Sequence, residues 1–516
     1  MHPIARPTWI STFALLLGFA TVQSAAASPL TVAPLTRISD PSPFAACTIG
    51  GSQPPPPGET LYPNAEEEPW VSVNPTNANN LIAVWQQDRW SNGGAHGLAA
   101  GVTHNGGSTW SHTFAHFSEC AGGNAANGGD YERSSDPWVT FAPNGDAYQI
   151  SLSFDANTAR NGVLVSKSTN GGDTWSEPIS LIRDSGGRDS SFAFNDKESI
   201  TADPTNSKFA YAVWDRFTSP SGSSLASIEG LIHSRSFREP VFFSRTTDGG
   251  ATWEAARDIY DRSEFNGTIG NQIVVLPNGD LLDVFDEFFV HDNSNDQRGE
   301  SISVIRSTDK GVTWDSRSTV IAASLERGAF DPDTGRPIRA EGGIPDIAVD
   351  RTSRKIYAVW QDTRFSGVDE VALSMSSDGG VTWSAPIKLN QTPRNPNPAD
   401  EQAFVPQVQV AADGSVAVTY YDFRFNDPSP GVPTDAWIVR CASDCGNPAS
   451  WHDEARLSPA SFDIEQAPAA RGPFGFFLGD YEGLTSVGNT FITVFVQVNN
   501  GSPTNRTDVF ETRVAP

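Results

Sequence analysis

Histidine is scarce in this sequence: eight residues in 516, one of them His2. No HExxH string and no EF-hand loop occurs, so a histidine-rich zinc centre lacks its ligands. Basic residues are also few, 35 Lys and Arg against 61 Asp and Glu. A chain this negative is repelled by nucleic-acid phosphates and anionic membranes, and neither is expected as a partner. Beyond residue 20 no apolar run reaches eighteen residues, so membrane insertion is not expected. Cysteines number four, Cys47, Cys120, Cys441 and Cys445. A Cys-x3-Cys spacing with no nearby His is a poor zinc signature. Long helices are hard to place, because 45 Gly and 37 Pro interrupt the chain at short intervals.

The N-terminus has the layout of an export signal. His2 and Arg6 precede an apolar stretch from Trp9 to Ala20, and small residues follow up to Ala25-Ala26-Ala27. The stretch is too short to span a bilayer, which leaves a buried helix as the other reading of it. The expectation is a secretory signal over 1–27 and one mature domain over 28–516, secreted to an extracellular or periplasmic space. Losing Arg6 takes the net charge from −26 to about −27, so an anionic substrate would need a local basic pocket. Export permits disulfides. Cys441 and Cys445 flank one hairpin and suit a clip across it, which leaves Cys47 and Cys120 as the second pair.

What the chain does have is a repeat. A hairpin ending in Trp reads THNGGSTW at 103–110, STNGGDTW at 168–175, TTDGGATW at 246–253, STDKGVTW at 307–314 and SSDGGVTW at 376–383. A worn copy, ASDCGNPASW, occupies 442–451. The Trp-to-Trp steps are 65, 78, 61, 69 and 68 residues, a period of repeated sheet modules. A strand precedes each hairpin, as in GVLVSKS at 162–168, and a pair of strands with a tight turn lies further upstream, as in DIAVDRTSRKIYAVWQDTRF at 346–365. A fourth strand follows, as in EPISLIR at 177–183. Seven modules can be counted, at about 70 residues each. The last one, ending DVFETRV at 508–514, has no fourth strand of its own, and TVAPLTRIS at 31–39 resembles one. The predicted fold is therefore an all-β, seven-bladed β-propeller of four-stranded blades, closed by the N-terminal strand. A six-bladed ring is the alternative, and the split last module argues against an open solenoid.

In each hairpin the third residue, such as Asn170 or Asp248, is expected to accept backbone N–H bonds, and the glycines to take left-handed turns. Trp175, Trp253, Trp314 and Trp383 are expected to pack between sheets of the same blade. These hairpins resemble Asp boxes, the bacterial neuraminidase repeats of sialidases and related propellers. The resemblance covers nearly all of the mature chain and implies a propeller whose boxes lie opposite the working face. Superfamily members include sialidases, other glycosidases, lyases and noncatalytic proteins.

That orientation puts the ends of second strands and the starts of first strands on the working face. Second strands end in Asp88-Arg89, Asp155, Asp215-Arg216, Asp286-Glu287, Asp362 with Arg364, and Asp422 with Arg424. First strands open near Glu68, Asp136, Glu198, Asp346, Gln407 and Glu482. Crowded carboxylates raise one another's pKa, which suits a general acid. The Asp–Arg strings also read as latches between blades. Long loops at 218–239, with Glu229 and His233, at 288–300, at 322–343, with Glu326, Arg336, Arg339 and Glu341, and at 458–479, with Arg471, are the expected rim.

A family sialidase holds its substrate carboxylate with three arginines and uses a Tyr nucleophile activated by Glu and an Asp acid/base. The resemblance carries these roles to Arg89, Arg216, Arg364 and Arg424 for substrate binding, and to Tyr481 or Tyr421 with Glu198 or Glu482 for the nucleophile; Glu68, at a first-strand start, is a further substrate-binding candidate. Asp136, or Asp130 before it, takes the acid role. The chain departs from the pattern in its blade count, in its paired arginines, and where a Phe-Arg-Ile-Pro string belongs. That place reads Glu66-Glu67-Glu68-Pro69-Trp70. The broader expectation is a secreted exo-glycosidase with catalytic carboxylates among Asp136, Glu198, Asp346 and Glu482, and Tyr481 beside them. It would act on a glycan or polysaccharide and require no cofactor. A lyase using Tyr481, His233 or His291 is a second reading. A noncatalytic glycan- or protein-binding propeller is a third, with funnel carboxylates that would suit Ca²⁺.

Overall fold

The computed structural model describes residues 29–39, 41–51, 59–156, 158–185, 193–218, 238–263, 266–289, 299–340, 344–470 and 475–516. The expected export signal, Glu229, His233, His291, Glu341 and Arg471 lie outside the described residues. The fold is all-β and propeller-like, made of antiparallel sheets of four to eight strands. Helix among the described residues is confined to short 3₁₀ turns.

The strands fall into sequential four-strand groups. The first is Leu61–Val73, Leu81–Trp90, Ala95–Thr103 and Ser111–Thr113, and the second runs from Arg133–Phe141 to Ile179–Ser185. One pairing, Ala95 with Ser134, joins these two into a single sheet. The third group runs from Ala193–Ala202 to Arg257–Tyr260, the fourth from Asn266–Val275 to Thr319–Ser324, and the fifth from Asp346–Val349 to Ile387–Lys388. The sixth runs from Ala403–Val410 to Asp453–Arg456. The last comprises Gly483–Val487, Thr490–Val498 and Thr507–Ala515, and the N-terminal segment adds to its edge: Thr31 pairs with Ala515 and Thr36 with Glu511. First strands of successive groups touch one another, and the last touches Leu61–Val73. Side-chain bonds tie these strands across groups, as from Thr201 Oγ1 to the Ile273 carbonyl at 2.8 Å.

The hairpins hold as their sequence suggests. Asp378 Oδ1 accepts from the Thr382 N–H at 2.9 Å, and Ser376 Oγ accepts from the Gly380 N–H at 2.9 Å. Gly380 sits at φ 86°, where a side chain would be strained. The box tryptophans correct one expectation. They pack against the preceding group: Trp253 lies edge-on to Tyr148 and Trp314 to Phe243, while Trp175 Nε1 donates to Thr113 Oγ1. The hairpin leans over its neighbour, so the indole closes the layer between groups, where more apolar surface needs covering.

Both disulfides form as paired above, Cys47–Cys120 and Cys441–Cys445. They close loops of 73 and 4 residues. Chain entropy then predicts a loss of about 4 kcal/mol for the double Ala variant of Cys47 and Cys120, against about 2 kcal/mol for that of Cys441 and Cys445. Urea titrations of both variants check this ordering, and equal losses would refute it.

Five of the first strands share a break in register. It falls between Glu67 and Trp70, Ser135 and Trp138, Asp196 and Ser199, Ile269 and Gln272, and Phe404 and Gln407. In each break one residue is left-handed: Glu68 (φ 53°), Asp136 (53°), Lys197 (51°), Gly270 (75°) and Val405 (52°). Non-glycine residues adopt this backbone at a cost, and bulges of this kind re-aim side chains.

Candidate functional site

Three of these left-handed residues meet. Lys197 Nζ pairs with Asp480 Oδ2 and lies 3.5 Å from Glu68 Oε1 and 3.7 Å from Asp136 Oδ1. Glu68, Asp136, Lys197 and Asp480 are all buried, between 1% and 6% exposed. The Asp480 N–H donates to Glu68 Oε1 at 3.4 Å, and the Glu68 carboxyl is within hydrogen-bonding reach of those of Asp136 and Asp480. Gln86 Nε2 donates to Glu68 Oε2, and Arg89 Nη1 donates to Gln86 Oε1 at 2.5 Å. Arg89 Nε also stands 3.2 Å from Glu67 Oε2.

Two short paired segments meet beside this cluster. Ile338–Arg339 and Phe476–Phe477 pair in parallel, one strand from each of two expected rim loops. Arg339 Nη2 reaches Asp480 Oδ2 at 3.0 Å. The Phe477 ring receives both guanidinium groups, Arg339 at 4.6 Å and Arg89 at 4.7 Å from its centroid. Gly479 is required here, since a Cβ would come within 2.9 Å of the Glu68 nitrogen.

The carboxyls split in protonation. Burial would raise Asp480, but the charges of Arg339 and Lys197 outweigh it and hold Asp480 well below the usual range. For Asp136, too, Lys197 and hydrogen bonds overcome burial and lower it. Glu68 goes the other way, pushed well up by burial and by the neighbouring Asp136 and Asp480 charges. Burial lifts Glu67 to about 8, against the pull of Arg89 and Arg339. A carboxyl pushed up beside two that are held down is the arrangement that separates acid from base.

Two more predicted residues lie close by, since Tyr481 feels the charges of Glu68, Asp136 and Asp480 and Glu198 feels that of Asp136, and the rest lie elsewhere. Arg216 makes a fork onto Asp184 at 2.6 and 2.8 Å and stacks on Phe242. Arg364 bonds Asp362 Oδ2 at 2.6 Å. Arg424 bonds Asp422 at 2.7 Å and Glu454 at 2.7 and 2.9 Å, over the Trp437 ring. Each of these arginines is neutralised where it stands, and of the four predicted only Arg89 belongs to the cluster. Asp130 is tied to Arg160 and Arg183.

Glu482 and Tyr421 come together: the phenol donates to Glu482 Oε1 at 2.7 Å, beside a small, mostly apolar cavity. Burial pushes both groups well above their ordinary values. That keeps the phenol protonated, the reverse of an activated nucleophile. The Tyr481 hydroxyl donates to the Pro137 carbonyl at 3.1 Å, and its ring stands edge-on to the stacked pair Trp70–Trp138. Neither Glu198 oxygen has a hydrogen bond, and the residue is buried. Asp346 accepts from the Val408 N–H at 2.6 Å and the Ile347 N–H at 2.9 Å, and burial lifts it to about 7.

Lys197 and Asp480 went unnoticed in the sequence, although a lysine in a column otherwise opened by Glu68 and Asp136 is a readable signal. Among the described residues, no set of three or more His, Cys, Asp or Glu side chains is placed to hold a metal ion, and no helix is long and apolar enough to cross a membrane.

A scan against protein families finds no match. Over 145 residues the chain is 30% identical to a sialidase of Bacteroides fragilis, a stretch covering 24% of this chain and 25% of that one. The matched stretch is thus about a quarter of the relative's length. Among solved structures, a Penicillium chrysogenum α-L-arabinanase complexed with arabinobiose is 11% identical at TM-score 0.44, over 93% of this chain and 98% of that one. The NanB sialidase of Streptococcus pneumoniae is 12% identical at TM-score 0.43, over 89% and 94%. A Dyadobacter fermentans protein of unknown function is 15% identical at TM-score 0.44, over 74% and 94%. Likeness at that level bears on neither substrate nor mechanism.

Proposed function

We propose that this chain is a secreted glycoside hydrolase, built on a seven-bladed propeller closed by its N-terminal strand, that removes a terminal sugar. The blade count rests on the run of contacts between successive first strands and back to Leu61–Val73. The observation that carries the chemistry is the buried meeting of Glu68, Asp136 and Asp480 around Lys197, where burial pushes Glu68 up and the nearby cationic charge holds the two aspartates down. The local likeness to a sialidase supports the same class of reaction.

In this reading Glu68 gives its proton to the glycosidic oxygen, which leaves as an alcohol. Water adds to the anomeric carbon and loses a proton to Asp136 or Asp480, and that proton returns to Glu68 through the network. Lys197 and Arg339 keep the accepting carboxylates ionised between turnovers. Glu68 shares the Lys197 ammonium with both aspartates and accepts from the Asp480 N–H, so a bound sugar has to draw it away from at least one partner. The Phe477 ring and the stacked Trp70–Trp138 pair put apolar surface beside the cluster.

The neutralised Arg216, Arg364 and Arg424 favour a second reading, a propeller that binds glycan without cleaving it. The purified mature protein, assayed on sialosides, uronides and arabinosides with Ca²⁺ or EDTA, separates the two. Release of one terminal sugar is the expected result. Saturable binding with no release from any of them would overturn the hydrolase reading for those substrates.

A further inference from the structure

Gln402 spends its side chain on a segment outside its own sheet. It lies between the 3₁₀ turn Pro398–Glu401 and the first strand of the sixth group, Ala403–Val410, and is wholly buried. Its side-chain oxygen accepts from the Phe330 N–H at 2.9 Å, and its side-chain nitrogen donates to the Phe330 carbonyl at 2.8 Å. The amide thus exchanges both bonds with one backbone residue, as a neighbouring strand would. Its own base is fixed separately. Nε2 also donates to the Ala399 carbonyl at 2.7 Å, and the Ala403 N–H donates to the Asp369 carbonyl at 2.8 Å.

Phe330 belongs to a small hairpin over residues 329–338. At its turn Asp331 Oδ1 accepts from the N–H groups of Asp333 and Thr334, at 2.8 and 3.1 Å. The arms are joined by a bridge between Phe330 and Pro337 and by the Ile338 N–H on the Ala329 carbonyl at 2.9 Å. Gln402 holds the first arm. The second arm runs on into Ile338–Arg339, the strand paired with Phe476–Phe477. Ala329 and Ile338 are buried in one apolar cluster with Phe404 and Phe476, so both arms pack as a single piece. Arg336 lies over the Phe476 ring at 4.0 Å. The residue that follows the second arm is Arg339, which reaches Asp480 at 3.0 Å. A long side chain makes such a contact only against its rotamer entropy, so the contact depends on where the backbone sets it down.

We propose that Gln402 is a positioning residue for the carboxyl cluster: by holding Phe330 it sets the hairpin that places Arg339 on Asp480. The consequence for turnover rests on the hydrolase reading, whereas the consequence for the hairpin does not. Without the amide, the Phe330 N–H and carbonyl lose their partners and the first arm loses its attachment to the sixth group.

The test compares Gln402→Met, which fills the space but forms neither bond, with Arg339→Met, both in the mature protein. Amide hydrogen exchange over 329–340 should be faster in Gln402→Met by about tenfold or more, with the box hairpin at 376–383 unchanged. In kcat/KM both variants should move the acid limb toward higher pH, because Asp480 loses a charge that holds it down. The double variant should move it no further than Arg339→Met alone. If the protein releases no sugar, the hydrolase reading fails and the seating of Arg339 is read from urea midpoints instead. The gap between each variant and wild type should then narrow below about pH 4, and the part of the gap that narrows should be no larger in the double variant than in Arg339→Met. A Gln402→Met protein with wild-type exchange over 329–340 would overturn the proposal. So would faster exchange with the pH profile of wild type, since Arg339 would then be seated without the hairpin. Should Gln402→Met fail to fold, Gln402→Glu keeps an acceptor for the Phe330 N–H and is put through the same comparisons.

Discussion

Replacing Lys197 by Met should lower stability by about 3–5 kcal/mol at neutral pH, the usual result of removing one partner from a buried ionic cluster. Lys197 is the cation nearest to three carboxyls at once, and all four side chains are buried. Arg339 remains on Asp480, so the cluster is weakened and not emptied of positive charge. The pH dependence follows from the lowered carboxyls. Asp480 and Asp136 titrate below their unfolded values in the folded protein. Their contribution is therefore present above the ordinary carboxylate range and is lost as pH falls through the folded values. The gap between wild type and variant should be widest near pH 7 and should narrow below about pH 4, where the unfolded chain binds protons. Urea unfolding of both proteins across that range reads the gap. A difference under about 1 kcal/mol at pH 7 would mean that the cluster is held by other forces than the ammonium. Because Met occupies left-handed backbone no more easily than Lys, the cost of φ 51° at this position cancels in the comparison.

The periodic parts of the molecule could be read from its sequence. Each box, each upstream hairpin and the orphan strand at Thr31 carries its own local signature, and the structure pairs Thr31 with Ala515. Four cysteines, two of them flanking one hairpin, were enough to assign both disulfides. The site resisted because its residues sit on bulges. A strand read with strict alternation assigns faces by parity, and one extra residue reverses that parity for everything that follows. Glu482 and Tyr481 part by ordinary alternation: Glu482 reaches Tyr421 of the sixth group, while Tyr481 points to Pro137 of the second. The arginines failed for another reason. Arg216 adjoins Asp215 in sequence but takes Asp184 from a different group, and Asp215 turns inward to Asn271. Adjacent residues in a strand face opposite ways, so a string such as Asp215-Arg216 cannot serve as one pair. Where the chain turns after its Asp, as at Asp362 with Arg364, the local pair does form.

Glu68→Gln should separate turnover from folding. If Glu68 is the proton donor, the amide removes the proton while keeping shape and neutrality, and kcat/KM should fall by about 10²- to 10⁴-fold. Stability should move the other way or not at all. Burial and its acidic neighbours raise Glu68 in the folded state, so the folded protein binds a proton that the unfolded chain releases above its ordinary value. Stability from that proton is complete below the unfolded pKa and declines as pH rises through the folded one. The Gln variant has no such decline, and its Tm at pH 8 should equal or exceed that of wild type. In the wild-type rate profile the basic limb should reflect loss of the Glu68 proton, displaced above the usual carboxylate range, and the acid limb should reflect Asp136 and Asp480, displaced below it. A Glu68→Gln protein with unaltered turnover would remove Glu68 from the acid role. A variant both inactive and much less stable would show that the hydrogen bonds from Gln86 and Asp480 hold the site together, with catalysis lost through the fold and not through the missing proton.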